Sequence, residues 1–170
     1  MNTSALYNVP RNTSWIEVVC GCMFSRKTEE FIRWLRRAQI AKQKVSIFKS
    51  KVDTRYSAEQ ITSHSEQLLV AQVVEDGNKI LDFVNDSQAV GIDERRFFKP
   101  NIVDVCYHLA DQGKRVIIAG HDQDCPGKPF EPMPQLLAIT EYTTKTLTIC
   151  IVCGNPTDIR HNVWSISTKE

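Results

Sequence analysis

Three things are missing from this 170-residue chain: an excess of charge, a long apolar run, and a cysteine pattern of the secreted kind. Lys and Arg outnumber Asp and Glu by only 21 to 20, a formal charge of +1. So weak a field excludes indiscriminate nucleic-acid binding as the main task, because phosphate backbones are held by an excess of cations. The apolar stretches fall far short of the roughly 20 residues a membrane span requires. Residues 1–13, MNTSALYNVPRNT, have no apolar centre and do not read as a secretory signal. Six cysteines scattered along the chain do not form a disulfide framework, and a reducing, cytoplasmic compartment is expected. Repeats and low-complexity tracts are lacking as well. What remains, 42% hydrophobic and 24% charged, is sized for one globular domain with a small appendage.

The chain is organised around Trp15 to Lys44. Trp15-Ile16-Glu17-Val18-Val19-Cys20 is short and β-branched, as a buried strand should be. From Glu29 to Lys44, Phe31, Leu35 and Ala38 recur at i, i+4, i+7 between arginines, the pattern of an amphipathic helix. Glu29 four residues before Arg33 offers a local ion pair. Between strand and helix, Gly21 to Thr28 is almost a phosphate-binding loop, G-x-x-x-x-G-K-[ST]. Such a loop aims backbone N–H groups at phosphate oxygens from a helix N-terminus. Lys27 supplies the ammonium and Thr28 a hydroxyl for Mg²⁺. The second glycine is Arg26, and a long side chain there is expected to obstruct the approach of phosphate. An ordinary strand–turn–helix with a chance Lys-Thr is the competing reading.

Further strands are expected at Lys44–Lys49, Gln67–Val74, Ala89–Ile92 and Arg115–Gly120, and a last strand-like run at Leu147–Cys153. Residues 50–66 read as polar and turn-rich. Helices are expected at Asn78–Asn85, at Leu136–Tyr142, and at Ile102–Gln112, with Val105, Cys106 and Leu109 inward and Gly113 as its stop. This alternation implies an α/β domain around a mostly parallel sheet. Ligands bind such sheets at the carboxyl ends of the strands, so stretches beginning at Gly21, Asp93 and Gly120 should gather on one edge. Residues 121–134, with four prolines and a glycine, form a preset loop. Cys20 and Cys106 are expected to be buried thiols. Cys22 precedes a helix N-terminus, which can lower a thiol pKa, yet an inert small side chain is favoured. His64 and His121 have no visible partner and read as structural or solvent-facing.

Ile92-Asp93-Glu94 closes a strand with two carboxylates, one suited to Mg²⁺ and one to accepting the proton of an attacking hydroxyl. In order along the chain stand Gly21-x-Met-Phe-Ser-x-Lys-Thr-Glu-Glu30, Asp53-Thr-Arg-Tyr56, Ser63-His64, Ile92-Asp-Glu94 and Phe97-Phe98. Ala119-Gly-x-Asp-Gln-Asp124, Gly127-x-Pro-Phe130, Pro134-x-Leu-x-Ala138 and Cys150-x-x-Cys-Gly154 follow. From about Trp15 to Thr157 this set resembles the thymidine kinase family of the bacterial, cytosolic-animal and poxvirus type. The resemblance implies a P-loop NTPase-like α/β fold with a small zinc-bearing subdomain and a lasso loop over the nucleoside. It implies ATP-dependent phosphorylation of the 5′-hydroxyl of thymidine or deoxyuridine, in a homo-oligomer, usually a tetramer. Carried onto this chain, Glu94 is the general base. Gly21, Cys22, Met23, Phe24, Ser25, Arg26, Lys27, Thr28, Asp53, Arg55, Asp93 and Arg96 fall on the ATP side. Met23, Phe97, Asp122, Cys125 and Phe130 fall on the nucleoside side, and Thr28 and Asp93 serve Mg²⁺. The division expected is 1–13 extension, 14–120 P-loop domain, 121–157 lasso loop and partial zinc subdomain, 158–170 tail.

Departures from the family pattern cluster at the site. Arg26 replaces a glycine, Arg95-Arg96 follow the carboxylates, and Glu131 replaces a small residue after Phe130. His121 stands where a leucine usually touches the base. Cys125 stands where an aromatic usually covers it, and lost base stacking costs about 1–3 kcal/mol by analogy with single-strand binders. Tetrahedral zinc wants four ligands. Cys150 and Cys153 give one pair, and the family's second pair is expected in a tail this chain lacks, with His161 as a weak third ligand. A metal-free turn is the alternative. Lys27, Thr28, Asp93 and Glu94 favour a working kinase in which Arg26 adopts a rotamer away from phosphate; Arg26, Arg96, Cys125 and the short tail favour a catalytically impaired relative that serves as a binding or structural subunit.

Overall fold

The computed structural model describes residues 14–50, 60–62, 68–93, 101–124 and 126–158. Its main sheet is built from strands β1 (Trp15–Gly21), β2 (Val45–Ser50), β5 (Gln72–Val74), β6 (Ala89–Asp93), β7 (Arg115–Gly120) and β8 (Tyr142–Thr146). They lie in the order β5-β2-β6-β7-β1-β8, and each neighbouring pair is parallel. β6 and β7 are buried at every residue, which is why they read as continuous apolar runs rather than alternating ones.

Two layers of helix cover this sheet. Helix α1 (Lys27–Ile40) places Phe31, Ile32, Leu35 and Ala38 against Val19, Ile47, Ile117 and Ala119 on one face. Burial of the three larger side chains, Phe31, Ile32 and Leu35, contributes about 1.5–3 kcal/mol each. On the other face, a 3₁₀ helix (Gly77–Phe83), α2 (Ile102–Asp111) and α3 (Met133–Ile139) pack against Ile16, Val18, Val90, Ile92, Val116 and Ile118. Consecutive strand residues such as Val18 and Val19 thus enter opposite cores, the two-residue period of a pleated strand. Val105, Cys106 and Leu109 face inward as expected. Gly113 stands at φ +81° just past α2 and donates its N–H to the carbonyl of Ala110 at 2.8 Å.

Several elements differ from expectation. The run Gln67–Val74 is two strands: β4 (Leu68–Val70) pairs antiparallel with β3 (Gln60–Thr62), while β5 joins the main sheet. β3 also puts a strand into the stretch 50–66, which read as turns. The expected helix at Leu136–Tyr142 begins and ends earlier, at Met133–Ile139. Pro134 suits its first turn, and Thr140 is already extended, its hydroxyl donating to the carbonyl of Ile16 at 2.7 Å. The strand that follows, β8, has no apolar run to announce it, reading Tyr-Thr-Thr-Lys-Thr. Leu147–Cys153 is not one strand; only β9 (Thr148–Ile149) pairs, with β10 (Pro156–Thr157), and the cysteines sit in the turn between them. Arg33 pairs with Glu30 at 2.5 Å, and Glu29 is approached by Arg26 at 3.6 Å. No described helix is long and apolar enough to cross a membrane.

Candidate active site

The site lies where the expected three stretches do converge. β6, β7 and β1 are adjacent and parallel, and Cys20 is in register with Gly120. Gly21, Asp93 and His121 therefore come off the same edge of the sheet. Gly21 is required there for space as well as for its φ of +153°. A Cβ on it would sit 2.3 Å from the Thr146 carbonyl oxygen and 2.7 Å from Ser25 Oγ.

From Gly21 the loop is closed by its own groups. Ser25 Oγ donates to the Cys22 carbonyl at 2.8 Å and lies 2.8 Å from Thr146 Oγ1, which donates to the Cys20 carbonyl at 3.1 Å. The end of β8 thereby buttresses the loop. Phe24 and Arg26 take left-handed backbone conformations, at φ 67° and 62°. Arg26 then starts α1, its carbonyl accepting from Glu30 N at 3.2 Å. Of the two courses open to Arg26, the one observed turns away from the loop. The arginine adopts the backbone conformation for which glycine is the usual choice, and its side chain is 78% exposed beside Glu29. That conformation costs about 1–2 kcal/mol for a residue with a Cβ, but leaves the loop interior clear. The first N–H groups of α1 have no intrahelical acceptor and mark an anion-binding position.

Lys27, the first residue of α1, is only 7% exposed, and its Nζ lies 3.2 Å from His121 Nε2. Of the two readings of His121, structural or solvent-facing, the second is excluded: it too is 7% exposed, and its partner is the loop's ammonium. Thr28 is half-buried one residue further on. Asp93 ends β6 almost fully buried, in register with Lys49 of β2. Lys49, 2% exposed, is a cation at the same edge that sequence reasoning passed over; a lysine closing an apolar strand was its only signal. Burial raises the Cys22 thiol pKa above its ordinary value, which supports an inert role over a reactive one.

With this geometry in hand, comparison with known proteins is decisive. Residues 14–164 match the sequence profile of the family described as Thymidine kinase. The chain belongs to the thymidine kinase family. A thymidine kinase from Rhodothermus sp. (strain ITI 518) is 53% identical over 145 residues, 85% of this chain and 68% of that one. A thymidine kinase from Bacteroides thetaiotaomicron is 47% identical over 151 residues, 89% of this chain and 76% of that one. An X-ray structure of the Legionella pneumophila ATPase DotB overlaps with a TM-score of 0.49 at 13% identity, covering 87% of this chain and 47% of that one. That likeness is too loose to bear on family or function.

The segment that thymidine kinase resemblance assigns to the nucleoside is closed on itself. Phe130 N donates to the Asp122 carbonyl at 2.9 Å, Asp124 N to the Lys128 carbonyl at 2.9 Å, and Lys128 N to Asp124 Oδ1 at 2.8 Å. Asp122 is 7% exposed, and its carboxylate meets Lys145 Nζ at 3.0 Å; the same ammonium lies 2.8 Å from Asp158. Lys145, which the sequence did not single out, thus ties β8, the loop base and the chain after β10 together. Hydrogen bonds to both carboxylates, that of Asp158 foremost, raise the Lys145 pKa, and Lys145 lowers that of Asp158. Met23 and Phe130 are half-buried.

Glu94, Arg95, Arg96, Phe97, Asp53, Arg55, His64, Cys125 and His161 lie outside the described residues. The Cys150 and Cys153 pair sits in the β9–β10 turn, where N–H groups of Cys153 and then Val152 lower the Cys150 pKa. A thiolate favoured by backbone donors suits zinc. It is half of a donor set: the described residues contain no group of three or more His, Cys, Asp or Glu able to hold a metal.

Proposed function

We propose that this thymidine kinase family member transfers the γ-phosphoryl group of ATP to the 5′-hydroxyl of thymidine or deoxyuridine. The observation that carries the reading is the buried Lys27 ammonium at the mouth of an unobstructed loop, with Arg26 turned to solvent. In this reading backbone N–H groups of Gly21 to Thr28 hold the polyphosphate and Lys27 meets its β/γ oxygens. Thr28 and Asp93 would hold Mg²⁺, which neutralises charge gathering on the phosphoryl oxygens. Glu94 accepts the proton of the 5′-hydroxyl as that oxygen bonds to the γ-phosphorus, and the bond from phosphorus to the β–γ bridging oxygen breaks. Asp53, Arg55 and Arg96 belong to the nucleotide side, and Met23, Phe97, Asp122, Cys125 and Phe130 to the nucleoside side. The division we read at residue 120 would separate only the 121–132 loop and the β9–β10 hairpin, since α3 and β8 return to the core and the edge of the parallel sheet. Zinc at Cys150 and Cys153 requires further ligands from elsewhere, and a homotetramer rests on family resemblance alone.

The test is conversion of thymidine to its 5′-monophosphate with Mg²⁺-ATP, read by chromatography. Glu94→Gln should abolish turnover while preserving the ATP-induced rise in melting temperature. Absence of both turnover and thermal shift in the unaltered protein would leave only the reading as a non-catalytic subunit. The outward course of Arg26 removes that reading's main steric support.

A further inference from the structure

Lys145 stands in β8 in register with Cys20, one residue before the phosphate loop opens at Gly21. Its ammonium bridges two carboxylates, Asp122 at 3.0 Å and Asp158 at 2.8 Å. The two acids are not equivalent. The Asp158 side chain is 31% exposed and can be solvated, whereas that of Asp122 is only 6% exposed. Among the described residues, Lys145 is the cation paired with Asp122, and the second carboxylate oxygen, Oδ1, is buried and accepts no hydrogen bond. Asp122 is also the root of the loop that runs on to α3. Its carbonyl accepts from Phe130 N at 2.9 Å, and the Phe130 carbonyl accepts from Met133 N, at the start of α3, at 2.9 Å. A shift of Asp122 therefore reaches Phe130 through a single hydrogen bond.

From this chain of contacts we propose that Lys145 is a positioning residue for the nucleoside: by holding Asp122 it fixes the root of the 121–132 loop and, through it, the place of Phe130. The inference rests on the assignment of Asp122 and Phe130 to the nucleoside side. Lys145 acts through Asp122 and not on the reacting atoms. Without the ammonium a buried carboxylate is left uncompensated, and the loop above it gives way more readily than the sheet below. The phosphate loop has ties of its own, through Ser25 and Thr146, and is spared.

The kinetic test compares Lys145→Met, Lys145→Arg and Lys145→Met combined with Asp122→Asn. Lys145→Met should raise the thymidine KM about tenfold while the ATP KM stays within about twofold. Lys145→Arg keeps the charge and should recover most of that loss. Adding Asp122→Asn to Lys145→Met removes the stranded charge and should recover part of it, an improvement that simple loss of packing does not produce. Asp158→Asn should change the thymidine KM far less than Lys145→Met does, because Asp158 is open to water. The proposal is overturned by an unchanged thymidine KM in Lys145→Met, by equal rises in both KM values, or by an equal loss in Asp158→Asn. A loss that neither Lys145→Arg nor the added Asp122→Asn relieves overturns it as well. A second measurement does not depend on turnover. Hydrogen exchange of the Phe130 amide should quicken in Lys145→Met while the amides of β7 keep their protection; an unchanged Phe130 amide overturns the proposal. Failure of the kinase reading is separately visible as an unaltered protein that makes no thymidine monophosphate, and exchange at Phe130 together with thymidine calorimetry still decides on Lys145.

Discussion

Between Gly21 and Thr28 the chain is held by its own backbone and by short hydroxyl contacts, whereas the loop from Asp122 to Phe130 and the hairpin from Leu147 to Asp158 are held by their own backbone pairs and joined through the ion pairs of Lys145. On the first side Ser25, Thr146 and the Cys20 and Cys22 carbonyls interlock within a buried turn against the sheet. On the second, exposed apolar side chains follow one another in and beside the β9–β10 hairpin: Leu147, Ile149, Ile151 and Val152 are 47%, 57%, 72% and 62% exposed. The difference bears on how the proposed chemistry would be divided. In that reading a polyphosphate would be met by a pre-built cradle that costs little to organise. The nucleoside would be met by a segment with more exposed apolar surface, the kind of region from which closing loops are drawn.

The most severe break in this contrast is Gly21→Val. Its Cβ would overlap the Thr146 backbone carbonyl at 2.3 Å, and backbone cannot swing aside as a flexible side chain can. We expect a loss of about 3–4 kcal/mol in urea denaturation, from strain and displacement of β8, and no ATP-induced thermal shift in whatever folds. Wild-type stability in this variant would show that the cradle is softer than its geometry implies.

Lys145→Met should act on the other side only. It removes the charge facing Asp122, which is buried, and Asp158, which is not, so the stability change is modest, about 1 kcal/mol after allowance for solvent screening. The larger effect expected is on the nucleoside: a thymidine KM raised about tenfold with the ATP KM nearly constant, the signature of lost uniform binding at one subsite. Parallel rises in both constants would mean the two walls are one mechanical unit.

The contrast also sets what could be read from sequence. β1, β6 and β7 were legible because strands buried on both faces are apolar throughout, and α1 because a single face of it enters the core. β8 was not, because an edge strand of threonines is held by backbone pairing and advertises no apolar pattern. Lys27 and Thr28 were visible through local spacing; the contact of Lys27 with His121 was not, since nothing local joins residues so far apart. Arg26 was left open, between obstructing the loop and turning away from it, for a related reason. Sequence shows that a side chain exists at a glycine's place, but not that backbone strain could be accepted to turn it outward.

The Lys145 pairs carry a pH signature with a definite sign. The Asp158 pKa lies below its ordinary value, so its contribution is fully present above about pH 4 and is lost as pH falls through the lowered value. The Lys145 pKa is raised, so its contribution is present below about pH 10 and is lost only as pH rises through the higher value. Asp158→Asn should therefore narrow the stability gap between neutral and acid solution relative to wild type, and Lys145→Met should make the Asp158→Asn change nearly silent. A double-mutant cycle of urea denaturation at neutral and at acid pH reads this coupling. Additive effects at both would assign the pair no energetic role.

The smallest effect expected is at Arg26, and it separates two accounts of the cradle. If the arginine obstructed phosphate, Arg26→Gly would raise nucleotide affinity strongly. Because its side chain leaves the loop at 78% exposure, the variant should instead relieve only the left-handed backbone, offset by the greater freedom of glycine in the unfolded chain. We expect a net change in stability of about 1 kcal/mol or less, towards greater stability. ATP affinity by calorimetry should stay within about twofold, since no group that meets phosphate has moved. A tenfold gain in affinity would instead mean that the guanidinium returns to the loop in solution, and the obstruction read from the sequence would stand after all.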